Sequence, residues 1–116
     1  MATAQDHLNQ ANHNRDFLAS IDISRFPDWI ATVMFYTAVH RAQQLFCIRG
    51  GTGGSHTKRN DSLRTLYPKV WREYHKLYSY SRLARYRCME SKPEHVPHLE
   101  KRLRRVEAAI DQLINK

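Results

Sequence analysis

All four glycines of this 116-residue chain lie within residues 50–54, which read Gly-Gly-Thr-Gly-Gly. Such a run ends any helix that reaches it, because glycine is flexible and costs the most backbone entropy to order. Pro27 suits the first turn of a helix, and the charge of Asp28 favours a helix N-terminus. Between these two signals, residues 27–49 are predicted to form one long helix, which is followed by a flexible loop.

This long helix has no fully polar side when its residues are placed about 100° apart around the axis. Its positions include Phe35, Ala38, Ala42 and Leu45 on one side, and Trp29, Val33, Tyr36, His40 and Cys47 on the other. A helix that is apolar nearly all round is typical of a central, buried position. We therefore predict that the helix is the centre of the fold and that Phe35, Ala38 and Val39 are buried.

The rest of the chain carries helical patterns and no strand pattern. A first helix is predicted over residues 4–21, and a short third helix is capped by Ser55 or Thr57 and ends before Pro68. A fourth helix is predicted from Pro68 to about Cys88. After a loop from Glu90 to Pro97, a fifth helix begins in the region of Leu99. A chain of this length has room for one domain. The sequence thus predicts an all-α, single-domain helical bundle over residues 1–116, with four long helices plus one short helix.

Only two cysteines occur, Cys47 and Cys88, and their wide spacing is not that of a secreted disulfide framework. The first residues lack the basic and apolar regions of a signal peptide. No apolar stretch approaches the length of a membrane span. We expect a cytoplasmic protein that has no membrane partner.

Common catalytic and cofactor motifs are absent from the sequence, including the Walker A loop, the GxSxG nucleophile motif and the dinucleotide fingerprint. Cys88, His95 and His98 are not accompanied by the CxxC or HExxH spacing of zinc sites, so we expect neither a metal nor another cofactor. Histidine-dependent chemistry on a phosphodiester is the one enzymatic reaction for which the side chains are present.

Positive charge is concentrated in the middle of the chain. The net charge is +8, and residues 56–87 carry nine Lys and Arg against two acidic residues. The same segment holds five of the six tyrosines. Basic residues interleaved with aromatics suit RNA, whose phosphates need cations and whose bases stack, although a solvated helix face above an aromatic core is an equal alternative. The candidates for contact with nucleic acid are Arg59, Lys69, Arg72, Lys76, Arg82 and Tyr86.

Two polar side chains are predicted to lie at the edge of the core. His40 falls on a packed stripe of the central helix, where an imidazole needs a hydrogen-bond partner. Arg85 falls beside Tyr78, near the apolar stripe of the fourth helix, whereas Lys69, Arg72 and Lys76 point outward. Each can be structural, with Asp28 an acceptor for Arg85, or can line a polar pocket that binds phosphate.

The segment after the glycines holds His56 and Arg59 and is predicted to form the rim of that pocket. We therefore predict that His40, Arg85 and Tyr86, with His56 or Arg59, surround one cleft. If the chain is an enzyme, the candidate catalytic residues are His40, His56 and Arg85.

Three segments of the chain form a further pattern: DWIATVMFYTAVH at residues 28–40, HTKRN at residues 56–60, and LYSYSRLARY at residues 77–86. In this order and spacing they resemble one branch of the HEPN-domain proteins. The resemblance implies a helical-bundle fold that commonly forms a homodimer. HEPN proteins recur in toxin–antitoxin, antiviral and RNA-processing systems, and many are metal-independent ribonucleases.

In such ribonucleases, an Arg and a His separated by four to six residues act on RNA, the His as acid or base and the Arg on the phosphate. The only pair with that spacing here is Arg49 and His56, across the glycine loop, and chance is the preferred explanation of that spacing. The leading hypothesis is a protein that binds RNA or nucleotide, as a ribonuclease or the toxin-like half of a defence pair with a cognate antitoxin. The alternative is a non-catalytic interaction module that binds a protein partner or itself.

Overall fold

The computed structural model describes residues 1–86 and 91–116, except for the side chain of Tyr86. The helices are α1 (Ala4–Ser20), α2 (Pro27–Arg49), α3 (His56–Leu66), α4 (Pro68–Tyr86) and α5 (Val96–Ile114), with a 3₁₀ helix at Pro93–His95. The described residues contain no strand. The all-α prediction is therefore confirmed.

The ends of the helices follow local signals in the sequence. α2 begins at Pro27 and is followed by Gly50, as predicted. Ser55, rather than Thr57, caps α3, because its hydroxyl accepts a hydrogen bond from the Lys58 amide at 3.1 Å. The loop predicted to reach Pro97 ends earlier, since α5 begins one residue before this proline, and a helix tolerates proline in its first turn. The predicted extension of α4 to Cys88 lies outside the described residues.

The side of α2 that carries Phe35 is the centre of the core. Phe35 and Ala38 are fully buried and Val39 nearly so, which confirms the prediction for these residues. Three helices lie around α2: α4 contacts it at Phe35, α5 at Arg41, and α1 at His40. The charge of buried Arg41 pairs with Glu107 and Asp111 of α5.

The opposite side of α2 is only partly buried. Val33 and His40 are half-buried there, and the prediction of a helix packed all round is wrong at Trp29, Tyr36 and Cys47. Trp29 is 58% exposed and Tyr36 38% exposed, and Cys47 is exposed as well. The reason is geometric. α1, α4 and α5 pack along α2 and the start of α3 contacts it, yet Trp29 and Tyr36 stay more than a third exposed within the described part of the chain. Large aromatic side chains therefore face solvent beside the fourth helix.

Side chains tie the glycine loop to the bundle. The Gln43 amide nitrogen donates a hydrogen bond to the carbonyl oxygen of Gly53 at 2.6 Å, and the Tyr67 hydroxyl donates to that of Gly50 at 2.7 Å. Gly51 has a φ of +137°, and a Cβ there would lie 2.5 Å from the Phe46 ring. These contacts place the start of α3 against α2.

Candidate functional site

The ring of Phe35 forms the floor of a cluster that joins α2, α3 and α4. Ring centroids of Tyr36, His56, Tyr74 and Tyr78 lie 5.4, 5.8, 5.7 and 5.8 Å from that of Phe35. The guanidinium carbon of Arg85 lies 5.6 Å from the same centroid. The three helices therefore bring polar and aromatic side chains together around one buried ring.

His56 and Arg59 form the polar centre of this cluster. Because Ser55 caps α3, His56 is its first residue and Arg59 follows one turn later on the same side. The Arg59 guanidinium lies 3.0 Å from Nδ1 of His56, measured from Nη1. A guanidinium can only donate, so Nδ1 of His56 accepts this bond and carries no proton.

Arg59 is a buried cation that has no counter-charge among the described residues. Only 8% of the residue is exposed, and its second hydrogen bond goes to the neutral carbonyl oxygen of Gly53 at 3.2 Å. Within residues 1–86 and 91–116, its buried Nε atom has no hydrogen-bond partner and no carboxylate forms an ion pair with it. A buried charge in this state is costly unless an anion compensates it.

Tyr74 lies next to Arg59 and is fully buried as well. No hydrogen bond of good geometry joins its hydroxyl to another described residue, although the Arg59 side chain lies within hydrogen-bonding reach of its oxygen. Burial raises the pKa of Tyr74 to about 12, although the charge of Arg59 acts in the opposite direction. The hydroxyl thus keeps its proton at neutral pH, and because a guanidinium can only donate to its oxygen, the O–H group is a further donor next to Arg59.

Both histidines of the predicted site are held in the neutral form. Burial lowers the pKa of His56, and the charges of Arg59, Arg85 and Arg82 lower it further. Burial also lowers the pKa of His40, and next in size are the effects of His7 and Arg59. Because histidine titrates near 6.5 without such effects, each is uncharged at neutral pH. His56 is therefore a free base surrounded by cations.

His40 has a partner that the sequence did not indicate. Its Nδ1 atom lies 3.0 Å from Nδ1 of His7 in α1, and the two ring centroids are 5.3 Å apart. One ring must donate and the other accept, so at least one of the two imidazoles is neutral. His40 thus joins α1 to α2, and it approaches the His56–Arg59 pair only closely enough for Arg59 to affect its pKa.

Arg85 lies where the helical phase of α4 predicts, at the edge of the core. Its Nη1 atom donates to the Tyr36 hydroxyl at 2.5 Å, and its Nε atom donates to the carbonyl oxygen of Ser81 at 3.3 Å. Asp28, the predicted acceptor, lines a groove together with Arg85. Tyr86 is predicted from the sequence to line the same cleft and to contact nucleic acid, but its side chain lies outside the described residues.

The six candidates for contact with nucleic acid divide into separate groups. Arg59 and Arg82 lie at the His56 cluster, and Arg82 reaches the Tyr78 hydroxyl at 3.5 Å. Lys69, Arg72 and Lys76 are exposed on a face of α4 that is turned by about 140–180° from Arg85 and by about 80–140° from Arg82. These three side chains are not part of the cluster.

The structure separates Arg49 from His56. The Arg49 guanidinium donates to the C-terminal carbonyl oxygens of Leu113 and Lys116, at 3.1 and 3.0 Å, and so helps to cap α5. The guanidinium that contacts His56 belongs to Arg59, which follows the histidine in the sequence instead of preceding it.

Comparisons with protein-family models, with curated proteins and with solved structures found no match to this chain. Within the described ranges, no three His, Cys, Asp or Glu side chains are grouped so that they could hold a metal ion. No helix in that part of the chain is both long enough and apolar enough to cross a membrane. The geometry of the His56 cluster is therefore the basis for assigning a function.

Proposed function

We propose that this chain is a HEPN-type, metal-independent ribonuclease that binds the phosphate of RNA at His56 and Arg59. One observation carries the proposal. The buried guanidinium of Arg59 has no carboxylate partner in the described structure, yet it is hydrogen-bonded to a neutral histidine. An anionic ligand would compensate this charge and would lie next to a base.

The surroundings of the pair suit a phosphate better than a carboxylate side chain of a protein partner. Arg59, Arg82 and Arg85 all act on the pKa of His56, so three positive charges lie around it. The buried hydroxyl of Tyr74 supplies a further donor beside Arg59. A phosphate offers several acceptor oxygens to such a set, and charge-assisted hydrogen bonds of this kind are the strong ones.

The proposed reaction begins when Arg59 transfers a hydrogen bond from Nδ1 of His56 to a phosphate oxygen. Nδ1 is then free to accept the proton of the 2′-hydroxyl group. The 2′-oxygen attacks the phosphorus and the bond to the 5′-oxygen breaks, which leaves a 2′,3′-cyclic phosphate and a 5′-hydroxyl that takes its proton from water. The hydroxide formed from that water then takes the proton held on His56, which restores the neutral imidazole. Arg59 and Arg85 stabilise the negative charge on the phosphate oxygens in the transition state.

The resemblance to HEPN proteins supports the same site. Each of the three resembling segments contributes a side chain to it: Phe35 from the first, His56 and Arg59 from the second, and Tyr78 and Arg85 from the third. We further propose a cytoplasmic homodimer that acts as the toxin-like half of a pair with a cognate antitoxin.

The test is cleavage of single-stranded RNA by the purified chain in the presence of EDTA. His56→Ala should abolish cleavage, and the matched variant His13→Ala, at an exposed position of α1, should retain it. A DNA strand of the same sequence should bind but remain intact, because it lacks the 2′-hydroxyl. RNA that binds and is never cut would refute the enzymatic part of the proposal.

A non-catalytic interaction module is the second candidate, and exposed apolar residues favour it. Phe17 at the end of α1, and Ile23 and Phe26 in the connection that follows, are 44, 48 and 37% exposed. Such residues, close in sequence, suit contact with a protein partner or a second copy. If this function is correct, Ile23→Ser should abolish self-association or partner binding in sedimentation experiments, and RNA should neither bind nor be cut.

A further inference from the structure

A groove runs from the start of α2 to the end of α4 and adjoins the His56 cluster. It has a volume of about 290 Å³ and is lined by Asp28, Trp29, Thr32, Ala84 and Arg85. Arg85 belongs to both places, because it lines the groove and its guanidinium carbon lies 5.6 Å from the centroid of the Phe35 ring, whose centroid is 5.8 Å from that of His56. A ligand whose phosphate lies at His56 can therefore extend past Arg85 into the groove.

Trp29 gives the groove an aromatic surface. Trp29 is 58% exposed, whereas the next residue of α2, Ile30, is buried. Exposed aromatic rings are the side chains on which unpaired RNA bases stack, at a gain of about 1–3 kcal/mol per base. The aromatic surface next to a cationic site thus matches a nucleotide, with its base in the groove.

Asp28 gives the groove a negative acceptor. Its carboxylate makes no hydrogen bond or ion pair with any residue in the described ranges, and Thr32 bonds only to its backbone oxygen, at 3.0 Å. A carboxylate accepts two hydrogen bonds side by side. Among the four RNA bases, only guanine presents two adjacent donors, N1–H and N2–H, on its Watson–Crick edge.

From these observations, we propose that the groove is a nucleobase subsite that selects guanine. The base stacks on Trp29, its N1–H and N2–H groups donate to the Asp28 carboxylate, and Arg85 holds the phosphate between the groove and His56. This inference rests on the proposed function and adds to it a preference for one base beside the phosphate that is cleaved.

The experiment measures binding of short uridine-rich RNA strands through tryptophan fluorescence. Each strand carries one central guanosine, inosine, adenosine or cytidine, and 2′-O-methyl groups prevent cleavage. The chain carries Trp71→Phe, so that Trp29 is the only tryptophan. The guanosine strand should quench Trp29 and should bind about tenfold or more tightly than the adenosine strand, the discrimination expected of a bidentate pair. Inosine, which lacks the N2 amino group, should give an intermediate affinity.

The variant Asp28→Asn should abolish the preference for guanosine, so that the guanosine strand binds no more tightly than the adenosine strand. Asp16→Asn makes the same change of charge at an exposed position of α1 and should retain the preference. Equal binding of all four strands to the parent protein would overturn the guanine subsite alone. If no strand binds, both this inference and the proposed function fail. If Trp29 responds only to protein concentration, the groove is covered by a second copy and the inference is wrong.

Discussion

The guanidinium of Arg59 donates a hydrogen bond to Nδ1 of His56 across 3.0 Å, and the histidine precedes the arginine by one helical turn. This contact fixes the tautomer, because the only proton of the neutral ring is then on Nε2. It also places a buried cation where no carboxylate of residues 1–86 or 91–116 compensates it. A residue kept in this state at a cost in stability is typical of a binding site.

The first prediction follows from that cost. Arg59→Met replaces the guanidinium by an apolar side chain of similar length, so it removes the desolvation cost of a buried charge that no carboxylate of the described residues compensates. Urea unfolding should therefore show a free energy of unfolding that is equal or higher, while RNA binding is abolished. If the variant is less stable by about 3 kcal/mol, Arg59 has a structural role instead.

A second prediction concerns acid. The pKa values of His40 and His56 are lowered in the folded state, mainly by burial, and both side chains titrate near 6.5 in the unfolded chain. Between those values the unfolded chain binds more protons, so the free energy of unfolding decreases as the pH falls below about 6.5. Thermal melts from pH 8 down to about 5 should show this loss of stability. His40→Gln should reduce the slope, and the exposed control His13→Gln should not.

The salt dependence of RNA binding should distinguish the outward-facing basic residues of α4 from Arg82 at the cluster. Replacing Lys69, Arg72 and Lys76 by Gln should lower the slope of log affinity against log salt by about one for each phosphate that is no longer neutralised, uniformly across RNA sequences. The rate of cleavage at saturating RNA should not change, because these side chains are turned away from His56. In contrast, Arg82→Gln, at the cluster, should lower both the salt slope and the rate of cleavage at saturating RNA. A triple variant that cannot cleave saturating RNA would contradict the division.

Phe35 tests the architecture. It is fully buried and contacts the rings of His56, Tyr74 and Tyr78. Phe35→Ala should lower the free energy of unfolding by about 3–5 kcal/mol, since it leaves a cavity where three helices meet. The matched change Phe17→Ala, at an exposed position of α1, should cost less than about 1 kcal/mol. Similar losses of stability for both variants in chemical denaturation would argue against the central position of Phe35.

Local signals determined much of the fold in advance, and packing between helices determined the rest. Pro27, Gly50 and Ser55 each act on neighbouring backbone groups, so the ends of α2 and the start of α3 could be predicted. The contact between His7 and His40 depends on how α1 is rotated against α2. Helical phase cannot provide that rotation, because it relates only the residues of one helix to one another.

The same distinction applies to the site. The phase of α4 placed Arg85 at the edge of the core, and the resemblance to HEPN proteins pointed to the segments of His56 and Arg59. The exposure of Trp29 was missed, because apolar residues on two sides of α2 indicate burial only if enough helices surround it. α1, α4 and α5 pack along α2 and α3 contacts it, and Trp29, which stays exposed, is part of the proposed nucleotide site.

The last prediction concerns the carbonyl oxygen of Gly53, which accepts hydrogen bonds from both Gln43 and Arg59. A Cβ at this position would lie 2.3–2.6 Å from the side-chain amide of Gln43, so Gly53→Ala must displace that amide. Because the end of a glutamine side chain is flexible, the cost in stability should be modest, about 1–2 kcal/mol for a weakened hydrogen bond. Cleavage should fall more than stability does, since the shared oxygen holds the Arg59 guanidinium against His56.

Gly54→Ala is the matched control, because its Cβ would meet nothing within 4 Å. Combining Gly53→Ala with Gln43→Ala removes the clash and should restore part of the cleavage rate, whereas equal rates for all of these variants would show that Gly53 does not position Arg59.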